Sequence, residues 1–162
     1  MISCQNFRAI GFALLAFAAP AAAETVVSMD VYRAVDEVRV LEGEPVTVEV
    51  LQPAHSAIPG DKLTYQIEVQ NQGQTASSDI SLNLPVSSHV TFLEGSVQST
   101  IEVQETFSVD QGTHFAQLDD LFVGENEERR PATPSDITHL RMVIPELASG
   151  ETATVSYSIT LN

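Results

Sequence analysis

A regular alternation of apolar and polar residues in two segments is the feature that most constrains the fold of this chain. In the first segment, polar residues separate the apolar Leu63, Tyr65, Ile67 and Val69. Residues 153–161 repeat the pattern over a longer span. A period of two places the apolar side chains of a strand on one face. The pattern therefore predicts strands with one buried face, and no convincing helix is predicted between them.

Shorter apolar alternations, bounded by Pro and Gly, predict further strands. They occupy residues 80–84, 90–92 and 140–144. Residues 25–50 are also rich in valine, and we expect one or two edge strands there, with a turn at 42–45. Half-apolar strands of this length suit two sheets packed face to face. The prediction is an all-β antiparallel sandwich, with a closed barrel as the alternative.

Two turns flank the first alternating segment. Pro59 and Gly60 precede it, and Pro presets its own φ while Gly relaxes the next one. Asn71 and Gly73 follow it, and both residue types tolerate left-handed backbone. We therefore expect left-handed conformations at Asn71 and Gly73 in a tight connection to the next strand.

The N-terminus has the pattern of a secretory signal peptide. Arg8 precedes an apolar run over 9–19, and Ala21 and Ala23 are the small residues before a cleavage site at Glu24. That run is well short of the ~20 apolar residues that a membrane-spanning helix needs. The sequence predicts a signal peptide over 1–23 and an exported protein, periplasmic or extracellular. A buried helix or a membrane anchor is the alternative.

The net charge and the cysteine content of the chain restrict how it can be stabilised and which partners it can bind. Cleavage would remove one of seven basic residues and none of the 22 acidic ones, which leaves a net charge of −16. It would also remove Cys4, the one cysteine, so the core of a single domain over 24–162 must hold without disulfides. Nucleic acid and anionic membrane surfaces would repel such a chain. The negative charge either keeps an exported protein soluble or forms an acidic surface that binds cations or basic partners.

The least regular segment, residues 104–136, contains the notable acidic cluster of the sequence. Two apolar groups in it, around Leu118 and Leu121, are expected to tuck back onto the sandwich. Calcium prefers several carboxylate oxygens on flexible loops, although the spacing here is not that of a dedicated calcium loop. The alternative is a solvated acidic loop partly paired with Arg129 and Arg130. The candidate ligands are Asp110, Asp119, Asp120, Glu125, Glu127 and Glu128.

The sequence contains few other motifs that would indicate catalysis or metal binding. The four histidines, at 55, 89, 114 and 139, have no paired spacing, so a zinc site would need three of them to converge. There is no Gly-x-Ser-x-Gly nucleophile motif and no phosphate-binding glycine loop. The sequence therefore predicts a protein that is not an enzyme and needs no cofactor, calcium excepted.

Several motifs together resemble the bacterial conserved-repeat domain, domain of unknown function eleven. They are Pro59-Gly60-Asp61 with Leu63-Thr64-Tyr65, Asn71-Gln72-Gly73, Leu84-Pro85 and the segment 147–157. The similarity covers about residues 46–162 in a single copy. It implies an immunoglobulin-like β-sandwich in an exported or surface-attached protein, and it implies no catalytic residues.

These observations predict a non-catalytic, structural or binding module of the bacterial cell envelope. Its partner would be an envelope protein or a glycan, bound through the irregular loop or an exposed sheet edge. No membrane span is expected after signal cleavage. The alternative function is a calcium-stabilised, adhesin-like binding domain that uses the acidic loop.

Overall fold

The computed structural model describes residues 24–41 and 43–162, so the predicted signal peptide lies outside the described part of the chain. The described residues are all-β with antiparallel pairing and no α-helix, as predicted. Helical geometry there is limited to single 3-10 turns at Leu118–Asp120, Asn126–Glu128 and Pro134–Asp136. The strands are β1 (Thr25–Leu41), β2 (Glu44–Pro53), β3 (Lys62–Asn71), β4 (Ser77–Pro85), β5 (Val90–Phe92), β6 (Gln98–Ser99), β7 (Gln104–Ser108), β8 (Phe122–Val123), β9 (Arg130–Pro131), β10 (His139–Leu147) and β11 (Thr152–Leu161).

The larger sheet is built around the two segments with the clearest alternation. Its strand order is β2-β1-β3-β11-β5, and β6 pairs with β11 beside β5. In the pairing of β3 with β11, apolar residues stand opposite each other, as Ile67 does to Val155. Antiparallel partners lie on the same face of a sheet, so the alternation gives this sheet one apolar face.

The smaller sheet has the order β4-β10-β7. Its central strand β10 continues past Pro145, where the sequence suggested an end. Part of the segment expected to be irregular also belongs to this sheet, because residues 104–108 form β7. Strands β8 and β9 form a separate two-stranded ribbon.

One buried apolar cluster draws on both sheets. Ile67 and Val155 come from the larger sheet, and Leu140 and Ile144 from the smaller one, all at most 1% exposed. Contact between the sheets is direct, since the ring centroids of Phe92 and Phe107 are 5.3 Å apart. Leu118 and Leu121 join the cluster, as the sequence predicted for the connection that contains them.

The two predicted turns differ in outcome. Gly60 has a φ of +95° and confirms the tight turn before β3. The expectation for Asn71 and Gly73 is wrong, because neither has a positive φ. Asn71 shapes its turn with its side chain instead: the amide donates to the carbonyl oxygens of Thr75 and Leu147, at 2.8 and 2.9 Å, and its oxygen accepts from the Gly73 N–H at 3.0 Å.

Strands β1 and β2 agree in part with the expectation of one or two edge strands. The first part of β1, up to Arg33, pairs with β3, and its second part, from Tyr32, pairs with β2. Strand β2 ends the sheet on this side, while residues 25–31 of β1 pair with β3 alone and Tyr32 and Arg33 pair with both neighbours. With 17 residues, β1 is long enough to extend beyond β3.

Candidate functional site

The β1–β2 hairpin extends beyond the body of the larger sheet. Past Arg33, β2 is the one strand of the described residues that pairs with β1, and the pairing continues to Leu41 opposite Glu44. We call residues 34–41 and 44–51 the arm. Because no third strand flanks it, both faces of the arm lack the cover of the buried cluster.

Large aliphatic side chains on the arm are exposed. Val38 is 68% and Val40 is 70% exposed, and they stand on one face opposite Thr47 and Pro45. Leu41, Val46 and Leu51 are also exposed. Exposed apolar residues are ordinary when scattered singly, but a contiguous group on one element marks a contact surface. On the arm, Leu51 shares the face of Val38 and Val40, and Leu41 and Val46 lie on the other face, so both faces expose aliphatic side chains.

Charged residues on the arm are mostly acidic. The Glu37 carboxylate is 2.9 Å from the Arg39 guanidinium, and the Glu49 carboxylate is 2.8 Å from Lys62 Nζ. Asp36 lies directly opposite Glu49 in the register. The solvent-exposed pair of Glu49 with Lys62 joins the arm to the start of β3. The charged residues around the apolar side chains of the arm are mainly negative.

Strand β2 also offers a free edge. Its pairing is with β1, and no strand among residues 24–41 and 43–162 occupies its other side. An unpaired edge presents backbone N–H and C=O groups that can accept another strand. The arm thus combines apolar side chains with unpaired backbone groups.

The candidate calcium ligand Asp110 is held by its own loop. Its Oδ1 accepts hydrogen bonds from the backbone N–H of His114 at 2.9 Å and from the Ser108 hydroxyl at 2.7 Å. These hydrogen bonds, that of His114 above all, hold the pKa of Asp110 below its usual value. The carboxylate orders the turn between β7 and His114.

The other candidate acids lie on two 3-10 turns. Asp119 and Asp120 belong to the first, and Glu125, Glu127 and Glu128 lie at the second. Over the described ranges, no group of three or more His, Cys, Asp or Glu side chains is placed to hold a metal ion. The calcium site stays a prediction from the sequence.

The two arginines of this segment have other partners than the candidate acids. Arg130 forms two hydrogen bonds of 2.7 Å with the carboxylate of Asp136, and this pairing holds the pKa of Asp136 far below its usual range. The Arg129 guanidinium lies 4.3 Å from the ring centroid of Phe122. The arginines therefore shape the β8–β9 ribbon and the turn after it.

Sequence reasoning found the strands of the arm but not their extension beyond the sheet. It placed Val38, Val40 and Leu41 in edge strands that complete the sandwich, because valines that alternate with charged residues are typical of a half-buried strand. The available signal was length: the valine-rich stretch from 25 exceeds every other alternating segment. At 17 residues β1 far exceeds the usual length of a strand, so part of it can extend past its neighbour.

Comparisons of the chain with family models, curated proteins and solved structures give no match. Within the described ranges, no helix has the length and apolar character required to cross a membrane.

Proposed function

We propose that this chain is an exported, non-catalytic, immunoglobulin-like β-sandwich module of the bacterial cell envelope that binds a partner protein through the arm. The observation that carries the proposal is the pair of highly exposed valines, Val38 and Val40, beside the free edge of β2. The sharing of one buried cluster by two antiparallel sheets supports the sandwich. The N-terminal leader pattern and the resemblance to the conserved-repeat domain support export.

The chemistry of the arm favours a protein over a glycan as the partner. Its exposed side chains are aliphatic, whereas a sugar needs polar groups that can bond its many hydroxyls. The exposed backbone edge suits strand addition, in which an extended segment of the partner continues the sheet. Hydrogen bonds along β2 would supply affinity, and alternate side chains would supply specificity.

The negative charge of the module indicates the charge that its partner should carry. The chain has a net charge of −15, and the arm carries Asp36, Glu37, Glu44 and Glu49 against Arg39. Opposite charge around an apolar centre speeds encounter and excludes wrong partners. We infer a partner that presents an extended apolar segment flanked by basic residues.

Export has a direct test in the mass of the protein. The full-length gene is expressed in its bacterial host, and the protein is recovered separately from cytoplasm, periplasm and medium. We expect the periplasmic or extracellular protein to have the mass of residues 24–162. Recovery of the uncleaved chain from the cytoplasm alone would contradict the proposal.

Binding through the arm has a test with two matched double variants. V38T/V40T replaces the exposed valines by isosteric threonines, and V26T/V27T does the same at two exposed valines of β1 outside the arm. Tagged full-length proteins are crosslinked in the host envelope, and the captured protein is identified and purified. We expect the V38T/V40T variant to bind it at least about tenfold more weakly than wild type, because two methyl groups leave the contact.

The control variant decides what the result means. V26T/V27T should keep its affinity within about twofold, which would place the contact on the arm. Equal affinity of all three proteins would show that the arm is not the contact surface. Equal loss in both variants would show a general effect of polar substitution on β1, and would also overturn the proposal.

A further inference from the structure

A cavity of about 340 Å³ opens on the apolar face of the larger sheet. It lies where the end of β4 and the chain after it cross the sheet, and Met29, its lining residue on β1, precedes the arm in the strand. Side chains from four strands of that sheet and from β4 line it. They include Met29, Tyr65, Leu84, Val90, Tyr157 and Ile159. Its volume is within the range of about 300–1,000 Å³ that is typical of small-molecule sites.

Two tyrosines dominate the interior of this cavity. Tyr65 and Tyr157 are directly opposite in the pairing of β3 with β11, and their rings are stacked at a centroid distance of 5.1 Å and an angle of 8°. Stacking of opposite residues brings the two hydroxyls to the same end of the pair. Tyr157 is only 4% exposed.

Neither hydroxyl has a hydrogen-bond partner among the described residues, and neither oxygen is completely closed off from solvent, since the one unbonded polar side-chain atom that is so enclosed there is Glu105 Oε2. Polar side chains deeper in the protein are bonded to one another, as Thr64 is to Ser158 at 2.9 Å and Ser108 to Asp110 at 2.7 Å. The two tyrosine hydroxyls are therefore free to bond water or a molecule in the cavity. Burial, and secondarily the neighbouring Tyr65, raises the pKa of Tyr157 to about 12, so its hydroxyl keeps its proton and can donate.

The lining of the cavity also constrains the charge of an occupant. None of the lining residues is charged, although the chain as a whole has a net charge of −15. Burying an ion without a counter-charge is strongly unfavourable. An anion would in addition meet the negative field of the protein.

We propose that this cavity binds a small, uncharged, mainly apolar molecule with one hydrogen-bond acceptor, which the hydroxyl of Tyr157 would contact. The apolar lining supplies burial, and the stacked tyrosines orient the polar end of the molecule. This site is separate from the arm, so it stands or falls independently of the proposed protein contact.

The test uses the full chain and the uncharged fluorescent probe N-phenyl-1-naphthylamine. We expect saturable enhancement of its emission at one probe per chain, and displacement by octan-2-one, which is uncharged and has one carbonyl acceptor. Octanoate at pH 8 should displace at least about tenfold less well. No saturable binding would indicate a cavity that holds only water and would overturn the proposal. Equal displacement by the ketone and the carboxylate would show that the site does not select an uncharged molecule and would overturn it as well.

Matched variants place the probe in the cavity. M29W puts a large ring on the cavity face of β1, and V26W puts the same ring on the opposite face, where Val26 is as exposed as Met29. M29W should weaken probe binding at least about tenfold, whereas V26W and the arm variant V38T/V40T should change it less than about twofold. Equal effects of the two tryptophans, or loss in the arm variant, would place the probe elsewhere and overturn the proposal.

A third comparison isolates the hydroxyl and decides the matter if M29W does not fold. Y157F removes the hydroxyl oxygen and keeps the ring that stacks on Tyr65. The control Y32F removes the hydroxyl oxygen of a tyrosine on the outer face of β1. Y157F should weaken octan-2-one binding roughly 2- to 12-fold, the range of a single hydrogen bond, and Y32F should leave it unchanged. Unchanged binding in Y157F would overturn the role of the hydroxyl.

Discussion

Asn71 holds the connection between the two sheets through one buried amide. Its side chain is fully buried, and it bonds Thr75 in the turn and Leu147 at the end of β10. An aspartate of the same shape has no N–H to donate and would set its carboxylate against two carbonyl oxygens. Position 71 therefore needs the hydrogen-bond donors of an amide, and a side chain of the same shape without them does not suffice.

Replacing Asn71 should cost much more stability than replacing its neighbours. N71A removes the side-chain bonds to the buried carbonyl of Leu147 and to the carbonyl of Thr75, and we expect it to lower the free energy of unfolding by about 2–4 kcal/mol, with N71D at neutral pH no better. Q74A, at an exposed residue of the same turn, should change it by less than about 0.5 kcal/mol. Urea denaturation followed by far-ultraviolet circular dichroism measures all three. Similar midpoints for N71A and Q74A would contradict this role.

Glu105 predicts a pH dependence of stability. Burial, with Glu94 as the second cause, raises the pKa of its carboxyl, and its Oε2 is buried without a partner. The folded state thus disfavours the charged form. The penalty is absent below the unfolded pKa of about 4.3, grows as pH rises from there to the folded pKa, and is complete above the folded pKa.

We therefore expect E105Q to raise the melting temperature at pH 7 and to leave it unchanged near pH 4. E102Q removes the same charge at an exposed neighbour and serves to subtract the effect of net charge. Calorimetry of the three proteins at both pH values measures the difference. A gain in E105Q that is equal at the two pH values would refute the pH dependence.

Among the elements, the strands with period two were predictable and the arm was not. The register of β3 with β11 follows from Leu63, Ile67, Val155 and Ile159, since a slip by one residue would expose the whole apolar face. The arm exists because β1 continues beyond the end of its pairing with β3. How long two strands stay paired depends on the packing of the whole fold, so the sequence of β1 alone does not reveal it. The cavity was equally hidden, because Tyr65 and Tyr157 look like ordinary core residues in the sequence. The left-handed turn at Asn71 was wrongly predicted because a side-chain bond replaced backbone strain.

The arm should open more easily than the body of the sheet. Its backbone bonds lie in a two-stranded ribbon with exposed side chains, whereas those of β3 are flanked by strands on both sides. Local opening needs less free energy where few apolar contacts break. We expect amide hydrogens of residues 35–40 and 45–50 to exchange at least about a hundredfold faster than those of 64–69, by mass spectrometry of the intact protein. Equal protection would show that the arm is covered.

At the scale of the whole molecule, both sheets depend on one buried cluster. I67A acts in the larger sheet and I144A in the smaller, and each should lower the free energy of unfolding by about 2–5 kcal/mol. V26A, at an exposed residue, is the control. The chain has no tryptophan, so tyrosine fluorescence reports on the larger sheet and far-ultraviolet circular dichroism on both. Coincident single transitions are expected, and two separated transitions would mean that the sheets unfold independently.

The position of β11 in the larger sheet affects when that sheet can form as the chain is made. The strand is formed by residues 152–161, yet it lies between β3 and β5, which come from the first part of the described chain. A polypeptide that emerges from its N-terminus cannot close the larger sheet until these residues are free. Until then β3 presents an open, apolar edge, which exposes the nascent chain to proteases and to pairing with other chains. Without β11 the larger sheet lacks the strand that joins β3 to β5, and the buried cluster lacks Val155, Tyr157 and Ile159.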